Sequence, residues 1–310
     1  MRHVFVPFVC ACLLASAGCS APPDPPGTFH RGAVFNWVEE GSAADAEGNA
    51  AKAMKVYQQA AGQGITSAQI LVAERYSDGF GVPKNPAEAI KWFTMAAEAG
   101  DVKAQFALGD MYHSGHGAEK NPAEALKWWQ KAAEKGDDGA QYNLAVLYRD
   151  GEGIPASAED AVKWFTAATQ KGHMVAACEL AEMYRDGKGL TQDYALALKW
   201  FTLAAETGTT RAQTGLGLMY YKGLGVPRDN LMALKWFTLA TAAGDKAAAP
   251  YRNFLAAQIT PPQLAEVDRQ VGEWKPKDAP GTQPHPPAAT AAKEAHGEPA
   301  AKPQHGSSHG

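Results

Sequence analysis

The stretch Lys91-Trp92-Phe93-Thr94-Met95-Ala96-Ala97 decides the fold, because it comes back four times. It returns as Lys127-Trp128-Trp129, Lys163-Trp164-Phe165, Lys199-Trp200-Phe201 and Lys235-Trp236-Phe237, and the tryptophans at 92, 128, 164, 200 and 236 stand 36 residues apart each time. A fixed period of that length marks structural units that bury their apolar faces only against their neighbours. Such an array grows by stacking, so 310 residues need no single large core.

Each copy holds two helical patterns. The first runs Ala68 to Tyr76, with Ala68, Val72, Ala73 and Tyr76 at helix spacing. It stops at Gly79, a residue free to take the left-handed conformation at a helix end. Gly81 follows, and the Gly-x-Gly pair recurs at 115/117, 151/153, 187/189 and 223/225. The second helix opens on Asn85, Asn121, Ser157, Asp193 or Asp229, all good N-caps. Pro86 and Pro122 take the first helical position, and Glu88 and Glu124 stand where a capping box needs them. Ala89, Trp92, Phe93, Ala96 and Ala97 make the buried stripe, and Gly100 ends the helix. On this reading Trp92, Phe93 and Tyr76 fill the groove between hairpins. Truncating a buried Trp200 to Ala is then expected to cost roughly 3–5 kcal/mol.

The same period divides the chain. Residues 68–247 hold five copies, at 68–103, 104–139, 140–175, 176–211 and 212–247. Residues 32–67 form a degenerate first copy, in which Ala43 and Asp45 replace the loop glycines. Residues 248–275 contain a capping helix from Gln263 to Trp274, with Thr260 as its cap. From Lys275 the chain is rich in Pro, Ala, Gly and His, so 276–310 is expected to be a disordered tail.

The N-terminus reads as an export signal. Arg2 and His3 precede the apolar run Val4 to Leu14, which is too short to span a bilayer. Two cleavage sites compete: Ala15-Ser16-Ala17 suits ordinary secretion, and Ala17-Gly18-Cys19 is similar to a lipoprotein box. The second is favoured, with residues 1–19 as the signal and Cys19 as the lipidated residue, although Ser16 stands where such boxes usually carry Leu. Residues 20–31, with their Pro-Pro pairs, make a tether. That resemblance implies attachment to the membrane through a lipid rather than a transmembrane helix. It also implies outer-membrane sorting, because Ser20 rather than Asp follows the Cys. After cleavage only Cys19 and Cys178 remain, so no disulfide framework exists. Net charge is −4 with no long basic run, which argues against nucleic acid as a partner.

Taken together, Ala140, Leu144, Tyr148, Gly151, Gly153, Ala161, Val162, Lys163, Trp164, Phe165, Ala168 and Gly172 resemble the Sel1-like repeat family. The resemblance covers about 68–247. It implies an all-α fold, a right-handed α/α superhelical solenoid related to tetratricopeptide arrays. It also implies an adaptor that holds protein partners without cofactor or metal. A cysteine-rich branch of such proteins is linked to β-lactam binding. The present chain lacks that branch's Cys pair in each repeat, so the activity does not carry over.

Catalytic constellations are sparse. His113 and His116 flank Gly115 in one copy only, without a third ligand nearby. Asp78, Asp150 and Asp186 read as helix-ending polar residues, and Lys91 and its copies as stems laid over neighbouring aromatics. Recognition is expected where the scaffold is constant and the side chain is not. The candidates are Phe106 and Tyr142 in one first-helix column and His113, Arg149, Arg185 and Tyr221 in another. Arg149 and Arg185, one repeat apart, suit a carboxylate or phosphate. The leading expectation is a non-enzymatic scaffold in the bacterial periplasm. The alternatives are an envelope enzyme or regulator acting on cell-wall or polysaccharide synthesis, and a secreted host-directed effector.

Overall fold

Thirteen-residue helices in antiparallel pairs make up most of the computed structural model, which describes residues 31–281, with side chains from residue 37 on. The signal, Cys19, the tether to residue 30 and the tail beyond 281 lie outside the described residues. Helices α1 (Arg31–Ala46) and α2 (Ala50–Gly62) form the first pair. Five regular hairpins follow: α3 (Thr66–Asp78) with α4 (Pro86–Glu98), α5 (Val102–Ser114) with α6 (Pro122–Glu134), α7 (Asp138–Asp150) with α8 (Ala158–Gln170), α9 (Met174–Asp186) with α10 (Tyr194–Glu206), and α11 (Thr210–Lys222) with α12 (Asn230–Ala242). A short α13 (Ala249–Ala256) and α14 (Pro261–Glu273) close the array. Among the described residues there is no strand, and the fold is an all-α repeat solenoid.

The local signals act as expected, with one instructive exception. Gly79, Gly115, Gly151, Gly187 and Gly223 all end first helices in the left-handed conformation. Asn85, Asn121, Ser157, Asp193 and Asp229 all cap second helices through their side chains. The reciprocal half of the capping box fails. Glu88 and Glu124 turn outward to Lys91 and Lys127. The reason is that the cap's own N–H is already taken: Asn85 donates to the Tyr76 carbonyl at 2.7 Å and Asn121 to that of Tyr112 at 2.8 Å. Ser157, Asp193 and Asp229 repeat the bond to Tyr148, Tyr184 and Tyr220. This bond closes each interhelical loop on the helix that precedes it.

The tryptophans do sit between hairpins, as the period implies, but the two adjacent rings of each unit are not equally buried. The ring fully enclosed in each unit is Phe93, Trp129, Phe165, Phe201 or Phe237, with Phe201 at 0% exposure. Trp92, Trp164 and Trp200 are half-buried and each touches two successive core clusters, so they sit at the joints rather than in the centres. Lys163, Lys199 and Lys235 lie over Trp164, Trp200 and Trp236.

Two features were not foreseen. Gln69, Gln105, Gln141 and Gln213 are buried and donate to the carbonyls of Ala61, Ala97, Ala133 and Ala205 at the ends of the preceding second helices. They supply partners to carbonyls that a helix C-terminus leaves open. The chain after Glu273 does not leave the stack at once, as the composition from Lys275 suggested. The Lys277 N–H donates to the Glu206 carbonyl at 2.8 Å, Ala279 packs on the core beside α10, and Gly281 lies against the Gln170–Lys171 backbone. Val267 of α14 is buried against the end of the stack.

Phe201→Ala is expected to lower stability by roughly 3–5 kcal/mol, and Trp200→Ala by at least about 1 kcal/mol less, in urea unfolding. The second glycine of each pair carries a further constraint. A Cβ at Gly117, whose φ is +86°, would collide with the backbone of Pro86 in the preceding unit. Gly117→Ala should therefore cost more than the roughly 1 kcal/mol of an ordinary helix-end glycine, read from the same unfolding curves.

Candidate functional site

The first helices line one side of the array, where α5 and α7 contact each other directly. Two depressions open on this side. The larger, about 620 Å³, lies over α7, α9 and α11 and is lined by Arg149, Asp150, Glu179, Glu182, Lys188 and Arg211 among others. The smaller, about 360 Å³, lies over α5 and α7 and includes Asp110, His113, Trp129, Tyr142, Asn143 and Val146. Arg149 and Asp150 line both, so the two form one trough.

The larger depression is built on a buried carboxylate. Glu179 is 8% exposed and sits between two guanidinium groups. Arg149 Nη1 donates to one of its oxygens and Arg211 Nη1 to the other at 2.6 Å. Arg211 also holds Glu182 through two bonds, and Arg149 holds Asp150 at 2.7 and 2.9 Å. Burial alone would lower the pKa of Arg211, but hydrogen bonds to Glu182 and Glu179 raise it above its usual value. The hydrogen bonds from Arg149 hold Asp150 below the usual carboxylate range.

Asp110 organises the smaller depression. Its Oδ1 accepts from the Trp129 indole N–H at 3.0 Å and from Asn143 Nδ2 at 3.1 Å. Burial pushes its carboxyl above the usual 3.8, and those two donors, with His113, only partly offset the effect. His113 Nε2 lies 3.3 Å from Glu152 Oε2, and its ring sits on Trp129 at 5.1 Å.

The structure brings His113, Tyr142 and Arg149 together in this trough. It does not bring in the other sequence candidates. Arg185 is paired with Asp186 at 2.6 and 3.0 Å and lies over Phe201. Phe106 is partly buried in the core beside Trp129 and Leu144. Tyr221 packs edge-on against Tyr251 and Phe254 at the C-terminal end. Arg149 and Arg185 are therefore not a free anion grip, since both already hold carboxylates of this chain. The variable first-helix column Leu71, Ala107, Asn143, Glu179 and Gly215 does point to Glu179 and Asn143, whereas sequence reasoning missed Asp110, Glu182 and Arg211. The signal that finds them is a charge at a first-helix position where other copies carry an uncharged residue: Val146 and Leu218 in the column of Asp110 and Glu182, Gly139 and Val175 in that of Arg211. Cys178 is wholly buried, and burial raises its thiol to about 12. Among the described residues no group of three metal-ligating side chains is present.

Two outcomes follow from this geometry. Glu179→Ala leaves Arg149 and Arg211 facing each other, and should cost on the order of 2 kcal/mol, since Arg211 keeps much of its solvent. For Asp110 the raised pKa fixes the sign: its contribution is fully present below the usual 3.8 and lost as pH rises through the folded value. Relative to Asp110→Asn, the native chain should therefore gain stability as pH falls from 7 towards 4, in urea midpoints taken across that range.

Comparison with known proteins places the array. The Sel1 repeat family model matches at 66–101, 102–137, 139–173, 175–208 and 210–245. Among curated proteins nothing matches. A Sel1 repeat protein from Oxalobacter formigenes shares 29% identity at a TM-score of 0.64, covering 78% of this chain and 99% of that one. The protective antigen c5321 of uropathogenic Escherichia coli, which has an SLR fold, shares 28% identity at a TM-score of 0.47, covering 88% of this chain and 66% of that one. Arrays of this kind are commonly protein-interaction scaffolds and generally non-catalytic. Five in-phase matches across more than half of its length mean that the chain belongs to the Sel1 repeat family.

Proposed function

We propose that the protein is a non-enzymatic scaffold of the bacterial envelope, tethered by a lipid on Cys19 and receiving a protein partner along its inner face. The observation that carries the reading is the trough itself. A backbone frame identical from unit to unit holds different charged and aromatic side chains over α5, α7, α9 and α11. Apart from Asp110, the charges there are paired within the chain, which suits selection among partners more than raw affinity. Support for the tether comes from Ala17-Gly18-Cys19 and the Pro-rich stretch behind it. No helix among the described residues is long and apolar enough to cross a membrane. Sorting to the outer membrane rests on Ser20.

Photo-crosslinking amino acids placed at Ser114 and Lys188, both exposed on the inner side, are expected to trap a protein in intact cells. The same groups at Lys127 and Lys163 on second helices should trap none. Adducts from all four sites alike would sink the inner-face reading. Labelling with a palmitate analogue should mark the native chain and spare Cys19→Ala. Equal absence of label from both would replace the tether with secretion after Ala17.

A further inference from the structure

We propose that the depression beside Asp110 is a pocket for the guanidinium of an arginine on a partner protein. Four observations converge on it.

The first is the carboxylate's geometry. Both neutral donors, Trp129 and Asn143, bind the same oxygen, Oδ1. Oδ2 has no hydrogen-bond partner and is not among the buried unsatisfied atoms, so it remains open to the depression. The second is the charge balance. Asp150 is held by Arg149 and Glu152 by Lys120, so Asp110 is the carboxylate of this depression left without an ion pair. Keeping it charged costs stability, because burial disfavours the ionised form.

The third is a comparison of the chain with itself. In the next two units the first-helix residue over the enclosed ring is an arginine. Arg149 lies over Phe165 at 5.9 Å and Arg185 over Phe201 at 5.7 Å. Each of these is followed by an Asp that it binds, Asp150 or Asp186. In the α5–α6 unit the matching residues are His113 and Ser114. The scaffold thus seats its own guanidinium over an aromatic ring in two units. In this one it supplies the ring and a carboxylate one helical turn earlier, Asp110, at a position that carries Glu74 and Glu182 in two other units, but no arginine and no following Asp. The fourth is the local remodelling. The enclosed ring here is Trp129 rather than Phe, and only this change gives Asp110 its indole donor. The larger ring fits because Gly109 is beneath it, where a Cβ would collide with the indole.

A volume of about 360 Å³ with Tyr142 and His113 as aromatic walls suits a planar cation better than a compact ammonium. The inference rests on the scaffold reading for which molecule carries the arginine; the pocket itself is tested without any partner. The full chain is titrated with acetyl-Gly-Arg-Gly-amide and followed through the Trp129 indole N–H resonance. Binding at millimolar level is expected, weakened at least about tenfold, ~1.4 kcal/mol, by Asp110→Asn and by replacing arginine with isosteric, neutral citrulline. The Lys peptide should bind several-fold more weakly, and Glu152→Gln should change little. His113→Arg keeps Asp110, restores the arginine found in the next units and should abolish binding. It keeps the proposal testable even if Asp110→Asn fails to fold. The assignment is overturned if the Trp129 signal does not respond, if citrulline or lysine binds as well as arginine, or if His113→Arg binds unchanged. It is also overturned if Glu152→Gln loses as much as Asp110→Asn. Crosslinks from Ser114 and Lys188 that persist beside a silent titration would remove the pocket and leave the scaffold standing.

Discussion

The structure depends on how closely alanine lets two helices approach. Ala89, Ala96, Ala97 and Ala104 have essentially no exposed surface, and so do their counterparts in later units except Thr241, which is partly exposed. A helix crossing made of methyl groups leaves one recess per hairpin, sized for a single six-membered ring, and Phe93, Phe165, Phe201 and Phe237 occupy it. Everything else is set by that distance. The loop between helices must turn within a few residues, which requires the left-handed glycine and the bond from the next cap to the tyrosine carbonyl. Larger residues at the crossings would push the helices apart and lose dispersion contacts on both sides.

Much of this was legible in the sequence. The period, the caps, the glycine stops and the apolar stripe are local chemistry, and they agree with one another. What was not legible depends on neighbours in space. Trp200 and Phe201 are adjacent on one apolar stripe, and periodicity cannot say which of two large rings points at the centre. The glutamine column reads as polar surface until the carbonyl of the preceding helix is seen beside it. The capping box at Glu88 fails because of Tyr76, nine residues before the cap. Lys277 looks like part of a solvated tail because composition carries no information about the Glu206 carbonyl that its N–H meets. At the site, columns of variable residues pointed to the right helices. They could not distinguish Tyr142, which lines the trough, from Phe106 in the same column, which packs into the core.

The charge arrangement on the first-helix face follows from where it is built. Long side chains lining these depressions have little water to themselves, so a lone charge there is expensive. The chain answers with pairs that span units: Arg149 reaches Glu179 one repeat on, and Arg211 reaches back to Glu179 and Glu182. Such pairs gain little net stability after desolvation. They do fix the relative placement of α7, α9 and α11, because Glu179 satisfies both arginines only at one spacing of the helices. The same bonds hold the guanidinium planes still, so the surface offered to a partner is organised before it arrives.

A repeat protein contains its own control, and that changes what a single sequence can reveal. At most positions five copies agree because the stack demands it, and agreement says nothing about function. Departures need another cause. Some have a purely structural one: Tyr57 stands in the first described unit where the others have Phe or Trp, and it packs on Trp37 and donates to Asp45 within that unit. The departures in the α5–α6 unit lack that excuse, since the unit has neighbours on both sides. Exchanging Phe for Trp129, seating it on Gly109 and turning its N–H to Asp110 adds nothing that the phenylalanine units go without. Asn143, contributed by the following hairpin, makes a second bond to the same oxygen. Three residues from two hairpins, Trp129, Gly109 and Asn143, thus serve one carboxylate whose ionised form the fold disfavours. Stacking does not require that expenditure, so its reason lies in what the carboxylate meets from outside.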